Sequence, residues 1–357
     1  MSAGAALREV FSDGDRRYLF GARADLLAFG GAALFSALLL AVGAATGALA
    51  ADLSPFMWLL LVVGIDAAHV WSTLFRVYLD PAEVRRRALL YLGTPVAVYV
   101  LGVLLMGFSA LAFWRVVAYL AVWHFMRQQI GWLRLYHRRE PSIGALERRL
   151  DEILLWLVML HPVAYWHAHL PRQFAWMIEG DFIAGLSPHV AAVLGATTGV
   201  IAVAWTGIHL RAVIRGRSVP WGRALLLITT AGAWYIGIVV FDSDYAFAVT
   251  NIPLHGVPYA LLTYRYARAR VAQGAARPIG LLLRGGAPAF VLILWCLAAA
   301  EEFGWDRVVW HDRPVFFGVG AVFDDALVAL IVPLLALPQL THYVLDGFVW
   351  RRAGNDT

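Results

Sequence analysis

The chain contains one cysteine and no lysine, and only 15% of its 357 residues are charged. A lone thiol, Cys296, excludes an intrachain disulfide and any thiolate cluster within one chain. With no lysine, all 29 basic residues are arginine, which marks GC-rich codon usage rather than a function. Low charge beside 61% hydrophobic residues and a mean hydropathy of +0.68 excludes an ordinary soluble domain of this length. Arginines in so apolar a chain orient helices at membrane edges, so the pI of about 9.5 gives no reason to expect a nucleic-acid partner. No glycine-rich phosphate loop, serine nucleophile elbow, zinc-protease H-E-x-x-H or internal repeat is present.

Apolar runs, each able to cross a hydrocarbon core of about 30 Å, fill most of the sequence instead. They predict an all-α, polytopic integral membrane bundle of about ten transmembrane helices: roughly 26–50, 55–79, 88–108, 111–136, 150–170, 188–212, 222–242, 245–267, 281–302 and 318–350. Pro333 and Pro338 should break or kink the last. Arginine clusters such as "AEVRRR", "RLYHRREPSIGALERR" and "RAVIRGRSVPWGR" fall on one side, and acidic, arginine-poor connections such as "FDSDYA" and "EEFGWDRVVWHDRP" on the other. Both termini are therefore expected in the cytoplasm. The organisation expected is a cytoplasmic N-terminal segment 1–25 that is not a cleaved signal peptide, a single transmembrane domain 26–350 and a short polar cytoplasmic tail 351–357. The stretch "PSIGALERRLDE" reads as a short interfacial helix. The acidic pairs Asp242/Asp244, Glu301/Glu302 and Asp324/Asp325 read as solvated loop ends, and Arg76 and Arg127 as arginines snorkelling to headgroups.

Four histidines depart from this apolar background. His69, His124, His255 and His342 lie on spans expected to run in the same direction. From His124 to Arg134 and from His255 to Arg265 is ten residues, and from His342 to Arg351 nine. At about 1.5 Å per residue, ten residues correspond to about 15 Å, so the imidazoles should share a layer near the midplane. Each has polar neighbours at helical spacing: Asp66 and Thr73 for His69, Gln128 for His124, Asn251 and Tyr259 for His255, Gln339 and Asp346 for His342. Taken singly, an intramembrane histidine is ordinarily a packing group that joins helices. Four at one depth instead point to a shared metal site, because ionisable groups are costly in a membrane and ligating imidazoles need partners on their second nitrogens.

The expected ligands are thus His69, His124, His255 and His342. Asp66, Gln128, Asn251 and Asp346 are expected to orient them, Asp66 and Tyr259 to be the candidate catalytic groups, and Tyr259 and Trp123 to form pocket walls. His161 and His209 are the outside candidates. Imidazole ligation suits Fe(II), with zinc or copper as alternatives and haem behind them.

The segments "IDAAHVW", "VWHFMRQQ", "NIPLHGVPYA" and "LPQLTHYVLDGFVWR" together resemble the bacterial Brp/Blh family of integral-membrane beta-carotene oxygenases. The resemblance implies non-haem iron held by His69, His124, His255 and His342, a carotenoid or other isoprenoid substrate, and oxidative cleavage. Where that family carries a paired H-x-x-x-H, this chain has Asn251-x-x-x-His255. The function expected is a metal-dependent oxygenase of a lipophilic substrate in a bacterial inner membrane, served by a redox partner and surrounded by membrane lipids. The alternatives are a transporter or assembly factor with intramembrane polar residues, and a haem-binding electron carrier.

Overall fold

Among the long helices of the described residues, every second one starts at a side-chain cap. The computed structural model describes residues 9–11, 14–141, 143–274 and 277–350, so the expected tail 351–357 and the first eight residues lie outside the described residues. Ten long helices form among those described: α1 Ala22–Thr46, α2 Pro55–Tyr78, α3 Ala88–Phe108, α4 Ala110–Arg139, α5 Ala145–Ala168, α6 Pro188–Ile214, α7 Trp221–Val240, α8 Asp244–Ala272, α9 Gly286–Trp310 and α10 Asp325–Val349. The first backbone N–H groups of a helix lack intrahelical partners. Ser54, Ser109, Ser187, Ser243 and Asp324 accept from them at the starts of α2, α4, α6, α8 and α10. The odd-numbered helices have no such cap.

Seven of the ten helices, all but α4, α5 and α8, are long and apolar enough to cross a membrane, which marks an integral membrane protein. No strand occurs among the described residues. The three helices that fall short in hydropathy are among those the bundle buries. In α8 every residue from Tyr245 to Gly256 is buried, whereas α3 and α6 expose Leu89, Val96, Leu104, Val193, Val200 and Val203 on the outside. Apolar faces thus point outward and the polar helices occupy the centre, where protein rather than lipid surrounds them.

Two helices are irregular near the centre. In α2, the segments Leu59–Ala67 and Leu74–Tyr78 take the wider π-type turn on either side of an α-helical Ala68–Trp71. The Trp295 indole of α9 donates to the Gly64 carbonyl at 2.7 Å. The last helix consists of Asp325–Leu335 and Leu337–Val349, interrupted at Ala336 between Pro333 and Pro338, as the two prolines predict.

Ion pairs fasten the arginine-rich ends of the helices. Arg223 pairs with Glu140 at 2.8 Å, with Glu147 at 2.8 Å and with Asp151. Asp151 also faces His137 at 3.0 Å and accepts from the Trp205 indole at 2.6 Å, and Glu147 faces His209 at 3.4 Å. Two expectations are corrected here. "GALERRLDE" is not a separate interfacial helix but runs into the first turns of α5, because Glu147 and Asp151 point inward to Arg223. Arg76 does not snorkel: its side chain is buried and bonds Glu83 at 3.0 Å, the Tyr266 hydroxyl at 3.1 Å and the Val349 carbonyl.

Candidate metal centre

His69 sits on the α-helical turn between the two wide turns of α2, His124 in the middle of α4, His255 on the buried stretch of α8 and His342 on the second half of α10. All four are at most 2% exposed. Ring centroids lie 4.5 Å apart for His69 and His255, 4.9 Å for His69 and His342, 5.0 Å for His124 and His255, and 4.7 Å for His124 and His342. His69, His124 and His255 each offer a ring nitrogen within 4.8 Å of the others. His342 stands against this triad as a fourth imidazole.

Close backbone contact sets part of this spacing. A Cβ on Gly256, beside His255, would lie 2.6 Å from Ile65 Cγ2 and 3.1 Å from the Ile65 carbonyl oxygen. Only a glycine lets α8 come this near to α2, four residues before His69. Phe125 stacks on His255 at 3.6 Å and 6°, and Tyr343 on His124 at 4.8 Å and 27°, so two of the ring planes are clamped. Neither aromatic was anticipated. Each lies beside a histidine in sequence but packs on a ring from elsewhere in the layer.

The hydrogen-bond account is what distinguishes the cluster. His342 Nδ1 lies 2.7 Å from the Thr73 hydroxyl. Both nitrogens of His69 and of His255, and Nε2 of His124 and His342, are buried with no hydrogen-bond partner among the described residues. An unmatched buried polar group costs about 1–3 kcal/mol, so six such nitrogens in one layer need a reason. A bound cation that accepts one lone pair from each of the four rings accounts for four of them, leaving an N–H on His69 and on His255: neutral imidazoles suit iron, copper or zinc, and the residues present fit such an ion. If Thr73 accepts from Nδ1 of His342, the lone pair of Nε2 is left facing the triad.

The expected supporting groups are redistributed. Asp66 stays beside His69, 3.6 Å from Nδ1, beyond hydrogen-bond range. Asp346, expected to serve His342, instead faces Nδ1 of His124 at 3.8 Å and accepts from the Trp350 indole at 3.0 Å. Gln128, expected beside the His124 ring, donates to the His255 carbonyl at 3.3 Å. Asn251, expected to orient His255, donates to the Ala233 carbonyl of α7 at 3.2 Å. Side chains from adjacent helices are simply nearer than the residue three or four places along. Tyr259 is at the site, its ring 5.1 Å from that of His342 and its hydroxyl accepting from Trp350 at 3.3 Å. Trp123 is not a pocket wall. One residue from His124, it turns outward, 54% exposed, and stacks on Trp156 at 5.8 Å. His161 packs by Gly195 and Tyr235, and His209 pairs with Glu147, so neither reaches the cluster.

Cavities approach the histidine layer from two directions. One of about 130 Å³ is lined by Arg127, Arg134 and Arg138 and reaches Gln128, Tyr259 and Asp346. The other is acidic and aromatic, and its inner part, about 220 Å³, reaches Asp66, Phe125 and Tyr343. Glu301 and Glu302 are not solvated loop ends: both are buried, because α9 continues to Trp310 and carries them inward, where Glu301 accepts from the Trp71 indole at 2.7 Å. Comparisons with protein-family models, with curated proteins and with solved structures give no match to this chain.

Proposed function

We propose that the protein is a membrane-embedded metalloenzyme, a histidine-ligated, non-haem iron oxygenase acting on a lipophilic substrate, with carotenoids or other isoprenoids first among the candidates. The observation that carries this reading is the convergence of ring nitrogens from His69, His124 and His255 within 4.8 Å, most of them unmatched. The resemblance of the four histidine segments to the Brp/Blh family supports iron over zinc or copper. Imidazole pairs with centroids only 4.5–5.0 Å apart leave no slot for a haem macrocycle between them, which argues against the electron carrier. Ten spans, with both termini on the cytoplasmic side of a bacterial inner membrane, form part of the same proposal. The arginine-rich ends and the alternating capped starts support it.

His69, His124 and His255 would hold the ion, joined by Nε2 of His342. Bound iron would supply the ability to activate dioxygen. The chain itself does the rest: Asp66 and Asp346 face the Nδ1 atoms of His69 and His124 and bias their orientation, while Thr73 selects the tautomer of His342. Phe125 and Tyr343 hold the ring planes and keep water from the layer. Tyr259 places a hydroxyl, fixed by Trp350, near His342, where it can hold or pass a proton.

A second reading has one observation in its favour. Cavities that approach one polar layer from two directions also suit a transporter that carries a metal ion through the layer. Metal analysis by inductively coupled plasma mass spectrometry on detergent-purified protein tests the first reading. Near-stoichiometric iron, lost in the His69→Ala/His255→Ala double variant, is the result expected. Protein that folds normally, contains no metal and is unaffected by the double substitution would overturn it.

A further inference from the structure

Away from the histidines, the acidic cavity has a composition that the proposed oxygenase does not require. Its outer part encloses about 340 Å³ and shares Trp58, Phe174, Trp176, Trp310, Asp244 and Glu302 with the inner part, so the two form one chamber. Asp52, Asp306 and Asp312 add further carboxylates at the outer end, and Asp66 lies at the inner end. Among the described residues lining it, Arg313 is the one basic side chain. Its guanidinium rests over the Trp58 ring, 5.2 Å from the centroid, rather than in an ion pair. Asp244 takes the Leu53 N–H, and Asp306 takes those of Asp312 and Arg313. Glu302 is different. It is 8% exposed, lines both parts of the chamber, and its carboxylate has neither a hydrogen bond nor an ion pair among the described residues.

We infer that this chamber binds an organic ammonium group, seated between the Trp176 and Trp310 rings that line it and the carboxylates of Glu302 and Asp244, the Trp58 ring being already covered by Arg313 and Phe316. Aromatic faces attract a weakly hydrated cation, and a buried carboxylate that otherwise has no partner is held ionised by a positive one. A chelated metal fits less well: among the described residues the histidine triad is the group whose ligand atoms converge, and these carboxylates do not. The Arg313 guanidinium on Trp58 shows that the chamber already accommodates one cation–aromatic contact from its own chain. The binding assignment is independent of the metal. That the ammonium belongs to the enzyme's substrate, with its apolar part extending towards Phe125 and Tyr343 beside the histidines, rests on the function proposed above. The shared chemistry is a quaternary or primary ammonium, either on a free molecule or on a lipid headgroup.

Isothermal titration of the full chain in uncharged maltoside micelles, with choline and with its neutral carbon isostere 3,3-dimethylbutan-1-ol, tests the inference. Choline should bind at least about tenfold more tightly than the isostere, and Glu302→Gln should remove about tenfold of the choline affinity while Glu302→Asp keeps most of it. The His69→Ala/His255→Ala variant should still bind choline, which separates failure of this inference from failure of the metal reading. Adding phosphatidylcholine, but not phosphatidylglycerol, should displace choline if the occupant is a lipid headgroup; absence of displacement assigns a free amine. Equal affinity for choline and its isostere, no choline binding by the folded protein, or indifference to Glu302→Gln would overturn the inference. If Glu302→Gln does not fold, the choline-to-isostere ratio on the unaltered protein decides.

Discussion

Helix α4 carries two buried histidines, His124 and His137, thirteen residues or about 20 Å apart along the axis, and their surroundings differ. Around His137, four helices and their ends bring together Arg223, Asp151, Glu147, Glu140, Trp205 and His209, and both histidines face a carboxylate at 3.4 Å or less. Around His124, another four-helix contact brings together four imidazoles, and the nearest carboxylates stand off at 3.6 and 3.8 Å. The first group settles nearly all its polar atoms internally, His209 Nε2 standing 3.4 Å from Glu147 without a hydrogen bond, and ties helices together. The second leaves lone pairs unmatched in a place where water is scarce. Burial alone does not separate the two, since both groups are buried; the separation comes from whether each polar atom has its counterpart inside the chain.

The widest test of that contrast is Arg223→Met. It removes the cation that Glu147 and Asp151 share, and breaking such a buried pair costs about 3–5 kcal/mol. The thermal unfolding midpoint in detergent should fall sharply while metal content per folded molecule stays unchanged; an unmoved midpoint would show that the network does not bear on stability. Asp346→Asn should do the reverse. It weakens the carboxylate that faces His124 and should lower metal affinity about 10- to 100-fold, measured by chelator competition, with little change in the unfolding midpoint of metal-free protein.

The smallest effect expected is in acid. Glu83 lies on the short helix Pro81–Arg86, between α2 and α3. Burial alone would raise its carboxyl, but hydrogen bonds from Arg86 and Tyr91 and the charges of Arg76 and Arg86 outweigh burial and hold it at about 2, against an ordinary 4.5. A depressed carboxyl stabilises the fold above its unfolded value, and this contribution is lost as pH falls from 4.5 towards about 2. An acid titration followed by circular dichroism should therefore show a steeper loss of stability over that interval in the unaltered protein than in Glu83→Gln. Parallel curves would place the linkage elsewhere.

Much of the architecture was legible from hydropathy and arginine placement. The expected spans overlie the ten long helices, with the largest offsets at the end of α9, expected at 302 and found at Trp310, and at the start of α10, expected at 318 and found at Asp325. The histidine layer was legible too, because a fixed rise per residue and an arginine at each helix end set depth without knowledge of packing. Partners across helices were not. Helical spacing reports what shares a face on one helix, whereas Asp346 serves the His124 of α4, Thr73 the His342 of α10, and Gln128 the backbone of α8. Glu301 and Glu302 were misread for a related reason. Two acids near the end of an apolar run look solvated until the helix is seen to continue past them, through the wide turn Asp306–Trp310.

The near-contact of Gly256 with Ile65 bears on how the bundle would respond to its lipid environment. Membrane helices answer changes in bilayer thickness by tilting. Where two backbones already touch, a tilt of α2 against α8 must pivot about that contact. Thicker or thinner lipid would then swing the helix ends, where the arginines and the carboxylate-lined mouth lie, and leave the histidines near the still point of the motion.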